Sequence, residues 1–235
     1  MLRKCVVEAI GVFFLVLTIG LVVMEPGIGP LAPLAIGGVL MVLVYAGGHI
    51  SGAHYNPAIT VAVLIRGKAT TAELVGYWVA QLLGAVAAAL TIGVFTDAGS
   101  TPAVFRVAPA LLAEFLFTFA LAYVVLNVAT ARGTAGNSYY GLAIGFTVVA
   151  GAWAVGGISG AAFNPAVALG ITLMGLSAPS FIWVFLVANF LGAVAAALLF
   201  NVLDLGSDKP TTATPAEQAE LATAASTSAE RSASR

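Results

Sequence analysis

Two identical triplets, Asn56-Pro57-Ala58 and Asn164-Pro165-Ala166, have the residue types and spacing of a site. Asn is a favoured helix N-cap, because its side-chain oxygen accepts the free backbone N–H groups of the first turn. Pro suits the first helical position, where its missing N–H would be unpaired anyway and its φ is already helical. Each triplet therefore predicts a helix start. An Asn amide turned away from its cap offers N–H donors to an oxygen-bearing solute, and the partial positive charge of a helix N-terminus opposes cations. The chemistry that fits is hydrogen bonding of neutral molecules, and no cofactor or enzymatic step is expected.

Glu8 and Glu114 are the only Asp, Glu, Lys, Arg or His residues inside predicted spans, where a charge costs about 2.5–3.5 kcal/mol on insertion scales. They read either as a proton relay for coupled transport or as buried carboxylates accepting backbone amides of neighbouring loops. The second reading is preferred, because each half of the chain has its own Glu beside its own triplet. His49 and His54 are both expected in the first re-entrant loop, before the first triplet, with Gly157 and Ala162 at the corresponding later positions. A metal site needs more ligands than these; the expected role is to hold loop backbone by hydrogen bonds.

The elements that position these residues follow from composition. The chain has 235 residues, 60% hydrophobic and only 8% charged, and a mean hydropathy of +1.04, which excludes a water-soluble globule. Net charge is −1 with no basic run, so a nucleic-acid partner is not expected. Spans of about 20 apolar residues are predicted at 5–24, 31–48, 74–95, 107–130, 139–157 and 179–203. All should be helices, because hydrocarbon leaves backbone groups no water to bond. Two apolar pieces at 57–65 and 165–176 are too short to cross.

A repeat ties the pieces together. The string LGAVAAAL occurs at 83–90 and 191–198, and the same offset of 108 aligns GHISGAHYNPA with GGISGAAFNPA at eight of eleven positions. Three spans per half force the second half to enter the bilayer inverted. Inverted repeats place broken helices near the midplane, at the solute site. The expected fold is an all-α membrane protein of six transmembrane helices and two re-entrant half-helices. The expected organisation is one channel domain over 1–206, with repeats at 1–100 and 105–206, and a disordered low-complexity tail over 207–235. Arg3, Lys4, Arg66, Lys68, Arg132 and Lys209 fall on one side of such a threading and only Arg106 on the other. Both termini are then cytoplasmic, in a cell (plasma or inner) membrane.

With SGAHYNPAITVAV, the second SGAAFNPAV, Glu8, Glu114 and the six-plus-two layout, the chain resembles the major intrinsic protein family, the aquaporins and aquaglyceroporins. The resemblance implies a homotetramer with one pore per subunit that passes water and small neutral solutes passively. It also implies where this chain departs from its water-selective relatives. Their second triplet is followed by a filter arginine; here that position is Val167, and the other filter positions fall on Ile36, Ala152 and Ala161. A wide apolar filter is expected, passing glycerol-like polyols, urea or neutral metalloid hydroxides such as arsenous acid. The alternatives are a water-selective aquaporin and, in another class, a proton-coupled transporter.

Overall fold

The computed structural model describes residues 1–24, 27–95 and 101–206; the expected disordered tail, 207–235, lies outside them. Eight α-helices follow one another among the described residues: α1 (Leu2–Val23), α2 (Ala32–Ser51), α3 (Pro57–Ile65), α4 (Thr71–Phe95), α5 (Val107–Thr130), α6 (Tyr140–Ser159), α7 (Pro165–Leu173) and α8 (Ile182–Val202). Six segments are long and apolar enough to cross a bilayer. The exceptions, α3 and α7, have nine residues each. At about 1.5 Å per residue each rises about 13.5 Å, under half of a hydrocarbon core about 30 Å thick.

Helix ends differ from the sequence reading by up to three residues, and three of the differences have a backbone cause. Helix α7 stops at Leu173 rather than 176, because Gly175 turns left-handed (φ 73) and closes the helix end, as Gly67 (φ 74) does after α3. Helices α2 and α6 run on to Ser51 and Ser159, past Gly48 and Gly157, where the predicted spans end. A glycine costs a helix about 1 kcal/mol, whereas an unpaired backbone group at membrane depth costs several, so the helices persist. They end at Gly52 and Gly160, both with φ 88.

The packing is symmetric under exchange of halves. Helix α1 packs on α4 and α2 as α5 packs on α8 and α6, and α3 rests on α8 as α7 rests on α4. Helices α2 and α6 meet each other across the pseudo-two-fold. A Cβ on Gly37 would lie 2.5 Å from the Gly145 carbonyl oxygen, and one on Gly145 equally close to that of Gly37. Small residues bring helices close in lipid in this way. Gly84 and Gly192 do the same within the halves, each 2.5 Å in Cβ terms from a carbonyl, Ala9 and Phe115 respectively. Gly84→Ala is therefore expected to lower stability by about 1–3 kcal/mol through overpacking. Gly93→Ala on the same helix meets nothing within 4 Å and should leave the melting temperature in detergent unchanged or raised; equal shifts in both variants would refute this account of the contact.

Candidate permeation site

Five residues separate each long helix from the half-helix that follows, and their backbone is strained in duplicate. Ala53, Tyr55, Ala161 and Phe163 take φ of 50, 47, 53 and 49, a left-handed region that costs a side-chain-bearing residue about 1–2 kcal/mol. Two carboxylates hold these loops. Glu8 accepts from Ser51 Oγ (2.6 Å), His54 N (2.9 Å), Tyr55 N (2.6 Å) and Gln81 Nε2 (2.8 Å). Glu114 accepts from Ser159 Oγ (2.7 Å), Ala162 N (2.9 Å) and Phe163 N (2.7 Å). Its surroundings also orient the Asn189 amide, whose nitrogen then donates to Glu114 Oε2 and Phe185 O at 3.0 Å while its oxygen accepts from Asn164 N at 2.7 Å. Both glutamates are fully buried.

The half-helices start where these loops end. Asn56 Oδ1 accepts from Ala58 N (2.9 Å) and Ile59 N (3.4 Å), and Asn164 Oδ1 from Ala166 N (2.9 Å) and Val167 N (3.4 Å). Each amide nitrogen reaches across the pseudo-two-fold: Asn56 Nδ2 donates to Phe163 O and Asn164 Nδ2 to Tyr55 O, both at 2.8 Å. One N–H of each side chain is thus committed to the opposite loop, which leaves the second as the donor available to a solute. The helix starts meet head to head, so their partial positive charges add at the centre. Trp78 Nε1 also donates to Pro57 O at 3.1 Å, anchoring α3 to α4.

Cavities open on either side of this meeting point. One of about 410 Å³ is bordered by the N-terminal part of α2, the C-terminal part of α6 and α7, with Ile36, Ala152, Ala161 and Val167 all on its wall. Another, of about 470 Å³, lies at the opposite end of α2 and includes His49, Lys68 and Arg132. Between them a void of about 30 Å³ touches both Asn56 and Asn164. Side chains in that void that belong to Leu40 and Val148 make its remaining wall apolar. The smallest of these three cavities is thus the one that both Asn56 and Asn164 border.

The sequence model of the family described as major intrinsic protein matches residues 1–200. The chain belongs to that family. Major intrinsic proteins are membrane channels, not enzymes, and this one is a multi-pass membrane protein with six spans. It is 36% identical to aquaporin NIP1-1 of Oryza sativa subsp. japonica over 86% of its own length and 74% of the relative's. It is 35% identical to nodulin-26 of Glycine max over 89% and 80%. The X-ray structure of the aquaglyceroporin from Plasmodium falciparum shares the fold at a TM-score of 0.71 and 22% identity, covering 87% of this chain and 99% of that one.

In this major intrinsic protein the two histidines part company. His54 lies in the loop before α3, donates its backbone N–H to Glu8, and sets its ring Nδ1 3.1 Å from Thr60 Oγ1. Because the Thr60 hydroxyl donates to Asn56 O at 3.0 Å, it accepts from His54, and Nδ1 carries the imidazole proton. His49 was expected in the same loop. It stands instead on the last turn of α2, exposed, where it borders the 470 Å³ cavity. Arg106 occupies the N-cap position of α5 on the exposed surface, without a side-chain capping bond, and it is the preceding Phe105 that borders the Val167 cavity. Phe105 carries no periodic or repeat signal in the sequence; the pairing of the segment before α5 with the turn after α7, Ala103 N to Leu176 O at 3.0 Å, brings it there.

Proposed function

We propose that this protein is a passive pore for small uncharged solutes larger than water, namely glycerol-like polyols, urea or neutral metalloid hydroxides such as arsenous acid, with some water. The observation that carries this reading is the apolar wall formed by Ile36, Ala152, Ala161 and Val167 around one cavity. We assign these four residues the selectivity filter and the two Asn-Pro-Ala triplets the pore centre. Pore width, lining donors and fixed charge decide what passes. Val167 in place of a guanidinium removes five rigid N–H donors and a positive charge, and Ala152 adds room. The head-to-head helix starts retain an electrostatic barrier to cations.

Glu8, Glu114 and His54 serve in this reading as loop supports, since their hydrogen-bonding groups are engaged by loop backbone and neighbouring side chains. His49, without such a bond among the described residues, is reassigned from the loop to the wall of the inner mouth. The channel unit spans 1–206, assembles as a homotetramer, and sits in the cell membrane with both termini cytoplasmic. Lys68 and Arg132 on one cavity support that orientation.

Stopped-flow light scattering on proteoliposomes tests the reading. Glycerol, urea and arsenous acid are expected to enter down their own gradients at rates above those of empty vesicles and indifferent to an imposed pH gradient. Conduction of water alone would establish the water-selective alternative, and solute accumulation driven by the pH gradient would establish coupled transport.

A further inference from the structure

The two halves share a second pair of contacts, on the outside of the helix pair α2 and α6. Trp153 Nε1 donates to Pro30 O at 2.8 Å, and Tyr45 Oη donates to Ser138 O at 3.1 Å. Trp153 lies 108 residues after Tyr45, and Ser138 lies 108 after Pro30, so the two bonds are copies related by the repeat. In each, a ring on one helix reaches the backbone two residues before the other helix begins, at Ala32 or Tyr140. The close approach of Gly37 to Gly145 sits between them, eight residues from each ring, or about 12 Å along the axis. The pair is therefore clasped at both ends around a central contact. The clasps are unequal. A phenol hydroxyl both donates and accepts, and Tyr45 Oη also accepts from Leu142 N at 3.1 Å while its ring meets Tyr140 edge-on at 5.1 Å. An indole N–H only donates, so the opposite end hangs on the Trp153 bond.

We propose that Trp153 is a positioning residue for solute size selection: its bond to Pro30 holds the facing ends of α2 and α6 together and so sets the width of the pore between Ile36 and Ala152. This rests on the filter assignment given above. Trp153 directly follows Ala152, yet it is 54% exposed and is not on the wall of the 410 Å³ cavity. It acts through the backbone of α6, not on the solute. The wall it governs is the stretch where Ala32, Pro33 and Ile36 of α2 share a cavity with Ala152 and Gly156 of α6. Side chains on the α6 side of that stretch end at Cβ or before it, so the separation of the two backbones fixes the aperture. Freed at this end, the helices populate wider separations about the glycine contact, and a bulky solute passes through that wider population. Smaller solutes already pass the clasped form and gain little.

The test compares wild type, Trp153→Phe and Tyr45→Phe in proteoliposomes, measuring water, glycerol and the four-carbon polyol erythritol in the same vesicles, with the melting temperature of each protein in detergent. Both variants keep a ring and lose one clasp. Trp153→Phe is expected to raise the ratio of erythritol to glycerol flux about 2- to 10-fold, the range set by one net hydrogen bond, with water and glycerol within about twofold of wild type. Tyr45→Phe loosens the far end of the same pair and should leave that ratio unchanged, although it lowers the melting temperature at least as much. A wild-type ratio in Trp153→Phe, or an equal change of ratio in the two variants, overturns the assignment. So does a loss of all three fluxes in proportion, because a role in folding alone scales every solute together. If wild type excludes glycerol, the polyol reading fails on its own, and the clasp is then judged by whether Trp153→Phe admits glycerol: admission upholds it and continued exclusion overturns it.

Discussion

Proteoliposomes carrying Val167→Arg are expected to pass glycerol and arsenous acid about tenfold more slowly than wild type, corresponding to about 1.4 kcal/mol added to the barrier, while water flux falls less. Val167 is the second residue after Pro165 in α7 and is 4% exposed. Its backbone N–H already serves the Asn164 cap, so a new side chain changes the cavity without undoing the helix start. A guanidinium there would occupy part of a cavity of about 410 Å³ and add rigid donors suited to water. It would also place a full positive charge beside two partial ones, lowering any residual cation leak. An unchanged ratio of glycerol to water flux would remove Val167 from the filter.

Glu114→Ala should have a comparably large effect, but on folding. The substitution leaves Ala162 N and Phe163 N without their acceptor. An unsatisfied buried donor costs about 1–3 kcal/mol, so the two together amount to roughly 2–6 kcal/mol. The left-handed residues Ala161 and Phe163 lose the contact that holds them, and the Asn189 amide loses an acceptor. Purified protein is expected to melt well below wild type in detergent, with Glu114→Gln between the two because one carbonyl oxygen remains as acceptor. A wild-type melting curve for Glu114→Ala would show that the loop keeps its shape without the carboxylate.

What the sequence makes legible here depends on whether a residue type or a backbone atom carries the interaction. The half-helix starts at Pro57 and Pro165 are readable because Asn caps and Pro at the first position are side-chain signals, and they recur at one offset. The end of α7 was readable in principle, since Gly67 and Gly175 share that offset of 108, and the sequence reading overlooked it. The extension of α2 and α6 through their glycines was not, because propensity favours a break there and only the demands of the bilayer override it. The bonds from Asn56 to the Phe163 carbonyl and from Asn164 to the Tyr55 carbonyl leave no trace either. Any residue has a carbonyl, so its selection as an acceptor is a matter of fold alone. The positions of His49 and Phe105 belong to the same category: a single unrepeated residue gives no register to count from.

Those reciprocal bonds also order the events of biogenesis. Glu8 clasps amides 46 and 47 residues downstream, so the first re-entrant loop can be shaped once α1 to α3 have left the ribosome and entered the lipid. Its asparagine, however, waits for a carbonyl 107 residues away, and its Tyr55 carbonyl for an amide 109 residues away. Until the second half has been inserted, a polar pair stands unmet at mid-bilayer. Both halves must then close in one joint step, and a nascent chain halted before residue 163 is a substrate for quality control rather than half a pore.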